Sequence, residues 1–246
     1  FYVVDVFRVA GGTDHTKFVH SHFGNAVPTG LELAPAEEYG HNTQMRAVRL
    51  DADAPPGWHV DWRIADRYEY LPTEKQVYLR YTDLTPDTAA GLVEGWIVAG
   101  IFDSSEETYI PRVLVRRQSE AGTLASTFVG VIDPYEGQPT AQQIARLPLT
   151  AADGTALADT HVALEIQLDD GRRDIVIARD PAQAVTEVVA AGPPALRTDA
   201  ELCLVRLTPD NTVEHAVLCK GATLSCGNVN FTEAAPTDFR EIAPLS

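Results

Sequence analysis

Short runs of alternating apolar and polar residues recur along almost the whole chain, and the periodicity of a helix is nearly absent. In His161–Leu168 the even positions are apolar and the odd positions are mostly polar or small, which is the pattern of a strand with one buried face. Residues 169–172, Asp-Asp-Gly-Arg, follow this run and predict a tight hairpin. Such a series of short strands predicts an all-β fold, an antiparallel two-layer β-sandwich with little or no helix.

The first predicted strand covers residues 1–9, and a turn at residues 11–12 leads into a second strand that extends to His22. Residues 181–191 are the only helix-like stretch, and their valines make a strand equally credible. Residues 32–41 predict a long loop. The other predicted strands are Met45–Leu50, Trp58–Ile64, Gln76–Tyr81, Gly95–Phe102, Tyr109–Arg117, Ser126–Ile132, Gln143–Leu147, His161–Leu168, Arg173–Ala178, Glu201–Leu207, Thr212–Leu218 and Ala222–Ser225.

The chain has 246 residues, enough for one large β domain or two smaller ones. We predict a single β-sandwich region over residues 1–246, with two sub-layers as the alternative and a soft boundary at residues 134–139, where proline and glycine interrupt the pattern. Because natural chains rarely open with an apolar strand, we also expect a C-terminal piece of a longer protein. Its first strand is then expected to be a partner-dependent surface, which invites self-association where the partner has been removed. The alternative is an internal strand that is satisfied within this chain, with the cut at a natural joint between layers.

Charge limits the partners that the chain can bind. The formal net charge is −16 and the pI is near 4.7, which disfavours nucleic acid as a ligand. No apolar run approaches the ~18 residues that a membrane-spanning helix needs. Two local basic groups are either solvated strand faces or patches for an anionic polymer: Arg112, Arg116 and Arg117, and Arg172 with Arg173.

Three cysteines leave the redox state of the chain open. Cys203 and Cys219 lie in apolar strands, which predicts buried thiols. A bridge between Cys219 and Cys226 across a hairpin is the alternative for that pair.

His20 and His22 are the sharpest candidates for a metal site such as a Zn²⁺ site. Residues two apart on a strand point to the same face, so both imidazoles could bind one ion. The alternative is an outward polar face, or histidines satisfied by hydrogen bonds. Candidate further ligands are Asp14, His41, His59 and Asp61.

An acidic set offers oxygen ligands for Ca²⁺, although acidic loops are ordinary in so acidic a chain. Its members are Asp103, Glu106, Glu107, Asp133 and Glu136.

Aromatic residues are candidates either for the sandwich core or for a platform that stacks on sugar rings. Trp58 and Trp62 fall on one strand face, and Trp96 and Tyr135 complete the candidate sugar contacts. Further aromatic residues that allow the same two interpretations are Tyr68, Tyr70, Tyr78 and Tyr81.

Two segments together resemble the heparinase II/III family of polysaccharide lyases. Residues 2–20, YVVDVFRVAGGTDHTKFVH, are similar to the family stretch VVDxFRVxGGxxHxxxxH. Residues 126–139, STFVGVIDPYEGQP, are similar to TFVxVxEPYxGxP, with Asp133 in place of glutamate. The order and separation of the two segments also suit the family.

The resemblance implies an N-terminal α/α toroid followed by antiparallel sheets, and β-elimination on uronic-acid polysaccharides. That reaction needs charge neutralisation, a base and an acid. In the family these groups come from the toroid and from motifs at the start of the sheet region, and this sequence has no counterpart to them. The catalytic residues therefore stay unassigned, and we expect the chain alone to be inactive. The family also favours a periplasmic or secreted location.

We therefore expect the C-terminal β-sandwich portion of such a lyase, with the toroid and an acidic polysaccharide as partners. The alternatives are a non-catalytic carbohydrate-binding module and a structural domain that mediates assembly.

Overall fold

The computed structural model describes residues 1–37, 39, 43–99 and 106–243. Over these residues the chain forms 21 strands and no helix, so nothing in the described part is a helix able to cross a membrane. All strand pairs are antiparallel and belong to four sheets. The predicted all-β sandwich-like fold is confirmed.

The chain divides into two compact units, residues 1–139 and 140–246, and the division falls at the end of the proline-containing segment 134–139. Unit 1 contains β1 (Val3–Ala10), β2 (Asp14–His20), β3 (Gly24–Thr29), β4 (Ala34–Pro35), β5 (Met45–Ala54), β6 (His59–Ile64), β7 (Tyr78–Asp83), β8 (Thr88–Ala99), β9 (Glu107–Gln118) and β10 (Ala125–Tyr135).

Unit 1 is a sandwich of two five-stranded sheets, in the orders β1-β10-β7-β6-β3 and β2-β9-β8-β5-β4. One apolar cluster joins them, because alternate residues of β6 point inward and meet the inward residues of β8 and β9. Trp62 and Tyr81 from the first sheet and Val113 from the second are fully buried in it. Gly130 in β10 leaves room for the Tyr81 ring, since a Cβ at that position would lie 2.4 Å from a ring carbon.

Unit 2 consists of two sheets in the orders β11-β13-β14-β17-β18-β21 and β12-β15-β16-β19-β20, which enclose their own core. The strands are β11 (Ala141–Arg146), β12 (Leu149–Ala151), β13 (Val162–Leu168), β14 (Arg173–Ala178), β15 (Val188–Ala190), β16 (Leu196–Thr198), β17 (Leu202–Leu207), β18 (Val213–Cys219), β19 (Gly221–Cys226), β20 (Val229–Thr237) and β21 (Arg240–Ile242).

The predicted hairpin at residues 169–172 joins β13 to β14, with Gly171 at φ 85° and its N–H donating to the carbonyl of Leu168. Of the two alternatives for residues 181–191, the strand is correct for Val188–Ala190. The predicted strand Gly95–Phe102 begins too late, because β8 begins at Thr88, and its last residues lie outside the described ones. Within the predicted loop 32–41, Ala34–Pro35 form a two-residue strand, and residues 38, 40 and 41 lie outside the described part.

Candidate functional site

Three neighbouring strands of the first sheet bring a charged and aromatic group of side chains together. In the register of β6, β7 and β10, Asp61 lies opposite Arg80, and Tyr78 lies opposite Tyr135. Because strand residues alternate between faces, these side chains lie on the face opposite the one that carries Trp62 and Tyr81. We call Asp61, Arg80, Tyr135, Tyr78 and His59 the tyrosine–arginine cluster.

Asp61 is the hub of this cluster. Arg80 donates two hydrogen bonds to it, from Nε to Oδ1 at 2.9 Å and from Nη2 to Oδ2 at 2.8 Å. The phenol of Tyr135 donates a third, to Oδ1 at 2.9 Å. The Tyr135 ring stacks on Tyr78 with a centroid distance of 5.1 Å and an interplanar angle of 14°. The side chains of Arg80 and Asp61 keep 23% and 22% of their surface exposed, so a ligand can reach them.

These contacts fix the protonation states at neutral pH. Burial disfavours the Asp61 carboxylate, but the hydrogen bonds from Arg80 and Tyr135 outweigh it, so the pKa of Asp61 is lowered. Burial and the hydrogen bond to Asp61 raise the pKa of Tyr135 to about 12. Burial and the nearby charge of Arg80 lower the pKa of His59, whose Nε2 lies 3.7 Å from Asp61 Oδ2. The cluster therefore holds an ionised carboxylate, a protonated phenol and a neutral imidazole.

This chemistry suits binding better than a complete elimination reaction. Arg80 directs its Nε–H and one Nη2–H at Asp61, so the carboxylate of Asp61 already balances much of the positive charge that an elimination site needs for its substrate. The Tyr135 hydroxyl also donates its proton in the hydrogen bond to Asp61. Because the pKa of Tyr135 is raised, little phenolate is present at neutral pH to act as a base. Tyr78 and Tyr135 are both partly exposed, beside the guanidinium that Asp61 holds in place.

The candidate tryptophans separate into two groups. Trp58 and Trp62 are 2% and 0% exposed and belong to the core of unit 1. This corrects the platform interpretation for these two residues: the face of β6 on which they lie points between the sheets, where a sugar ring cannot stack on them. Trp96, on β8, is partly buried, and its carbonyl oxygen lies 3.5 Å from Arg112 Nη2.

The histidines predicted as metal ligands do not share a strand. β2 ends at His20, so His22 lies beyond it and the alternation that would align the two imidazoles does not apply. His22 Nδ1 instead accepts the N–H of Phe23 at 2.8 Å, and its ring packs edge-on against Tyr68. Burial and Arg112 lower the pKa of His20.

Other proposed ligands have partners of their own. Both Asp14 oxygens accept hydrogen bonds from Arg116, Glu136 pairs with Lys75, and Glu107 accepts the phenol of Tyr109. His41 and Asp103 lie outside the described residues. Within residues 1–37, 39, 43–99 and 106–243, no three His, Cys, Asp or Glu side chains are placed to hold a metal ion together.

The basic groups singled out in the sequence are largely paired with acids. Arg116 binds Asp14, Arg172 binds Asp170 and Glu214, and Arg173 binds Glu165. All three cysteines are free thiols in the structure. Cys203 is buried as predicted, whereas Cys219 is only partly buried. Burial raises the pKa of the Cys203 thiol, and it raises that of Cys226 to about 11.

The motif histidine His15 has a structural contact. It is 7% exposed, and its Nδ1 lies 2.9 Å from the hydroxyl of Ser126. Its Nε2 contacts the carbonyl of Gly11, at the turn between β1 and β2. Both ring nitrogens are thus occupied, and His15 ties that turn to the start of β10.

The sequence does not indicate that Asp61 accepts hydrogen bonds from two distant residues, and it does not single out Arg80 as a candidate site residue. Asp61 and Arg80 are 19 residues apart and Tyr135 is 74 residues from Asp61, so only the strand register brings them together. The signal available in the sequence is the alternation of charged and apolar residues in the predicted strands Trp58–Ile64 and Gln76–Tyr81, which indicates that each strand has one polar face.

Comparison with protein-family models and with curated proteins gave no match to this chain.

Proposed function

We propose that this chain is the C-terminal β-sandwich portion of a heparinase II/III-like polysaccharide lyase, an enzyme that cleaves uronic-acid polysaccharides by β-elimination. Its tyrosine–arginine cluster would contact the polysaccharide, and the elimination chemistry would need groups from an α/α toroid of the same protein. The proposal rests on the sequence resemblance and on where the resembling residues lie.

One observation carries the proposal. The two resembling segments, far apart in the sequence, contain β1 and β10, which pair in register from Val3 opposite Ile132 to Ala10 opposite Ala125. The contact of His15 with Ser126 joins the same two segments. Tyr135 lies in the second of them and donates to Asp61. The β1 and β10 parts of the two segments thus lie side by side in the first sheet, and β10 reaches the cluster through Tyr135, whereas β2 of the first segment belongs to the other sheet.

The cluster also gives a physical reason for a binding role. A tyrosine pair presents apolar ring surface together with polar atoms, which suits a pyranose ring with its C–H faces and hydroxyl groups. Arg80 places a positive charge within 6.0 Å of the Tyr135 ring centroid, where it can attract the carboxylate of a uronic acid. Its pairing with Asp61 keeps that attraction modest.

A second candidate is a carbohydrate-binding module without any lyase partner. An exposed pair of tyrosines, Tyr68 at 43% and Tyr70 at 81% exposure, favours it, because such modules bind through surface aromatic residues. The two candidates differ in whether the chain's own gene encodes a toroid. A helical region with Tyr and His motifs upstream of Phe1 in the gene would support the lyase, and its absence would leave the module.

The biochemical test is electrophoresis of the chain in native gels that contain heparin, chondroitin, alginate or ulvan. The ultraviolet absorbance of unsaturated uronates in matched solutions is the readout of elimination. We expect slower migration in at least one uronate gel and no rise in absorbance. Failure of every uronate polymer to slow the chain would refute the binding role. A sustained rise in absorbance would refute the claim that the chain is catalytically incomplete.

A further inference from the structure

The loop between β6 and β7 holds two tyrosines side by side at the surface. Their rings stack with a centroid distance of 5.6 Å and an interplanar angle of 24°. Tyr70 is 81% exposed and Tyr68 is 43% exposed. Single exposed aromatic residues are ordinary, but two rings stacked in solvent form an apolar patch of defined shape.

The loop is held in place by a carboxylate. Asp66 Oδ2 accepts the N–H of Leu71 at 2.6 Å, and Asp66 also receives backbone hydrogen bonds from Tyr68 and Tyr70. The N–H of Glu69 donates to the carbonyl of Asp66, which closes the turn. Because these hydrogen bonds already order the loop, the protein loses less conformational entropy when a ligand stacks on its tyrosines.

The ring of Tyr68 also packs against two other aromatic rings. The ring of His22 meets it edge-on, at a centroid distance of 5.2 Å and an angle of 90°. Phe23, which is buried, lies 6.0 Å from it. Tyr70 thus stacks on a ring that is itself packed against His22 and Phe23, while most of the Tyr70 side chain stays exposed.

Arg67, the residue before Tyr68 in the loop, belongs to a cavity lined by polar groups. Arg67 stacks on Phe23 at 4.9 Å, and it lines a cavity together with Glu94 and Tyr109. Glu94 and Tyr109 in turn line a cleft of about 580 Å³, which also exposes Asn25 and Arg49. Carboxylate, amide and guanidinium groups are the donors and acceptors that hydrogen-bond to sugar hydroxyls.

These observations favour a sugar over a protein partner. Protein hot spots cluster in well-packed, fully desolvated pockets, whereas Tyr70 is 81% exposed and lies beside the charged Arg67 and Glu69. A pyranose ring needs only one aromatic face and nearby polar atoms. We propose that Tyr68 and Tyr70 form a stacking platform for a pyranose unit of a polysaccharide, with Tyr70 as the principal contact. The assignment takes its ligand class from the proposed function.

The test compares variants by native electrophoresis in gels with the uronate polymer that slows the wild-type chain most. Tyr70→Ala should raise the apparent dissociation constant at least about fivefold, the loss that follows from truncating a principal contact. Tyr70→Phe keeps the ring and should stay within about twofold of wild type. Phe239→Ala is the matched control, because it removes an aromatic side chain that is 63% exposed in unit 2. Circular dichroism melting of each variant checks that folding is unchanged.

A parallel series uses a neutral β-glucan, which offers the same ring faces without carboxylates. A loss in Tyr70→Ala with either polymer supports the platform, and the difference between polymers shows what the carboxylates add. If Tyr70→Ala binds every polymer that wild type binds, and binds it equally well, the platform is refuted, and binding of the uronate polymer by wild type leaves the proposed function standing. If wild type binds neither polymer, both are refuted.

Discussion

Replacing Asp83 with asparagine should remove a pH dependence of stability that belongs to unit 1. Asp83 is fully buried, accepts a hydrogen bond from the phenol of Tyr81 at 2.6 Å and another from the N–H of Thr85 at 2.9 Å. Burial raises its pKa from 3.8 to about 6, against the opposing effect of these hydrogen bonds and of Lys17. Lys17 itself pairs with Asp5 and lies 5.5 Å from the centre of the Tyr81 ring.

The sign follows from proton binding. Between about pH 4 and pH 6 the folded chain holds the Asp83 proton and the unfolded chain has released it, so stability falls as pH rises through this window. A pKa that differs by one between the folded and unfolded chain corresponds to about 1.36 kcal/mol, so the full loss is on the order of 3 kcal/mol. Carboxyls with lowered pKa values, such as Asp61 and Asp14, act in the opposite direction at lower pH. The variant must therefore be compared with wild type at each pH.

Urea titrations from about pH 4 to pH 7.5, followed by tryptophan fluorescence, measure this difference. All three tryptophans lie in unit 1, so the signal reports that unit. Asparagine can still accept from Thr85 and donate to the Tyr81 oxygen. We expect Asp83→Asn to gain stability relative to wild type as pH rises, and Asp87→Asn, at an exposed site, to run parallel to wild type. Parallel curves for Asp83→Asn and wild type would refute the reasoning.

Two further predictions concern packing and thiol chemistry. Gly130→Ala places a methyl group 2.4 Å from the Tyr81 ring, so we expect a loss of about 1–3 kcal/mol in urea unfolding; an unchanged midpoint would mean that the ring moves freely. A thiol reagent should label Cys219 first, because Cys203 and Cys226 are 2% and 1% exposed and have raised pKa values. Cys219→Ser should abolish the fast phase, and a fast phase that survives would contradict the assignment.

The fold class is predictable from the sequence because turn chemistry and alternation are local properties. The Asp-Gly pair at 170–171 needs no distant residue to form its turn. The start of β8 is not predicted, because Ala89, Ala90 and Gly91 carry little amphipathic signal. β20 is not predicted either, because it contains a proline and polar residues, which are typical of weakly patterned strands.

The candidate site is harder to predict than the fold. Alternation shows that Trp58 and Trp62 share a face, but whether that face is buried depends on the second sheet. The contacts of Asp61 with Arg80 and Tyr135 depend on the register of three strands, which no local pattern specifies. The sequence therefore indicates Tyr135 as a candidate sugar contact without the partners that fix its position.

The most direct test of the central claim is calorimetric titration with a size-defined uronate oligosaccharide. Tyr135→Ala removes a ring that stacks on Tyr78, whereas Tyr135→Phe removes only the hydrogen bond to Asp61. If the cluster contacts the polysaccharide through its rings, Tyr135→Ala should weaken binding about 3- to 10-fold and Tyr135→Phe should stay within about twofold of wild type. Equal affinity for wild type and Tyr135→Ala would contradict the account.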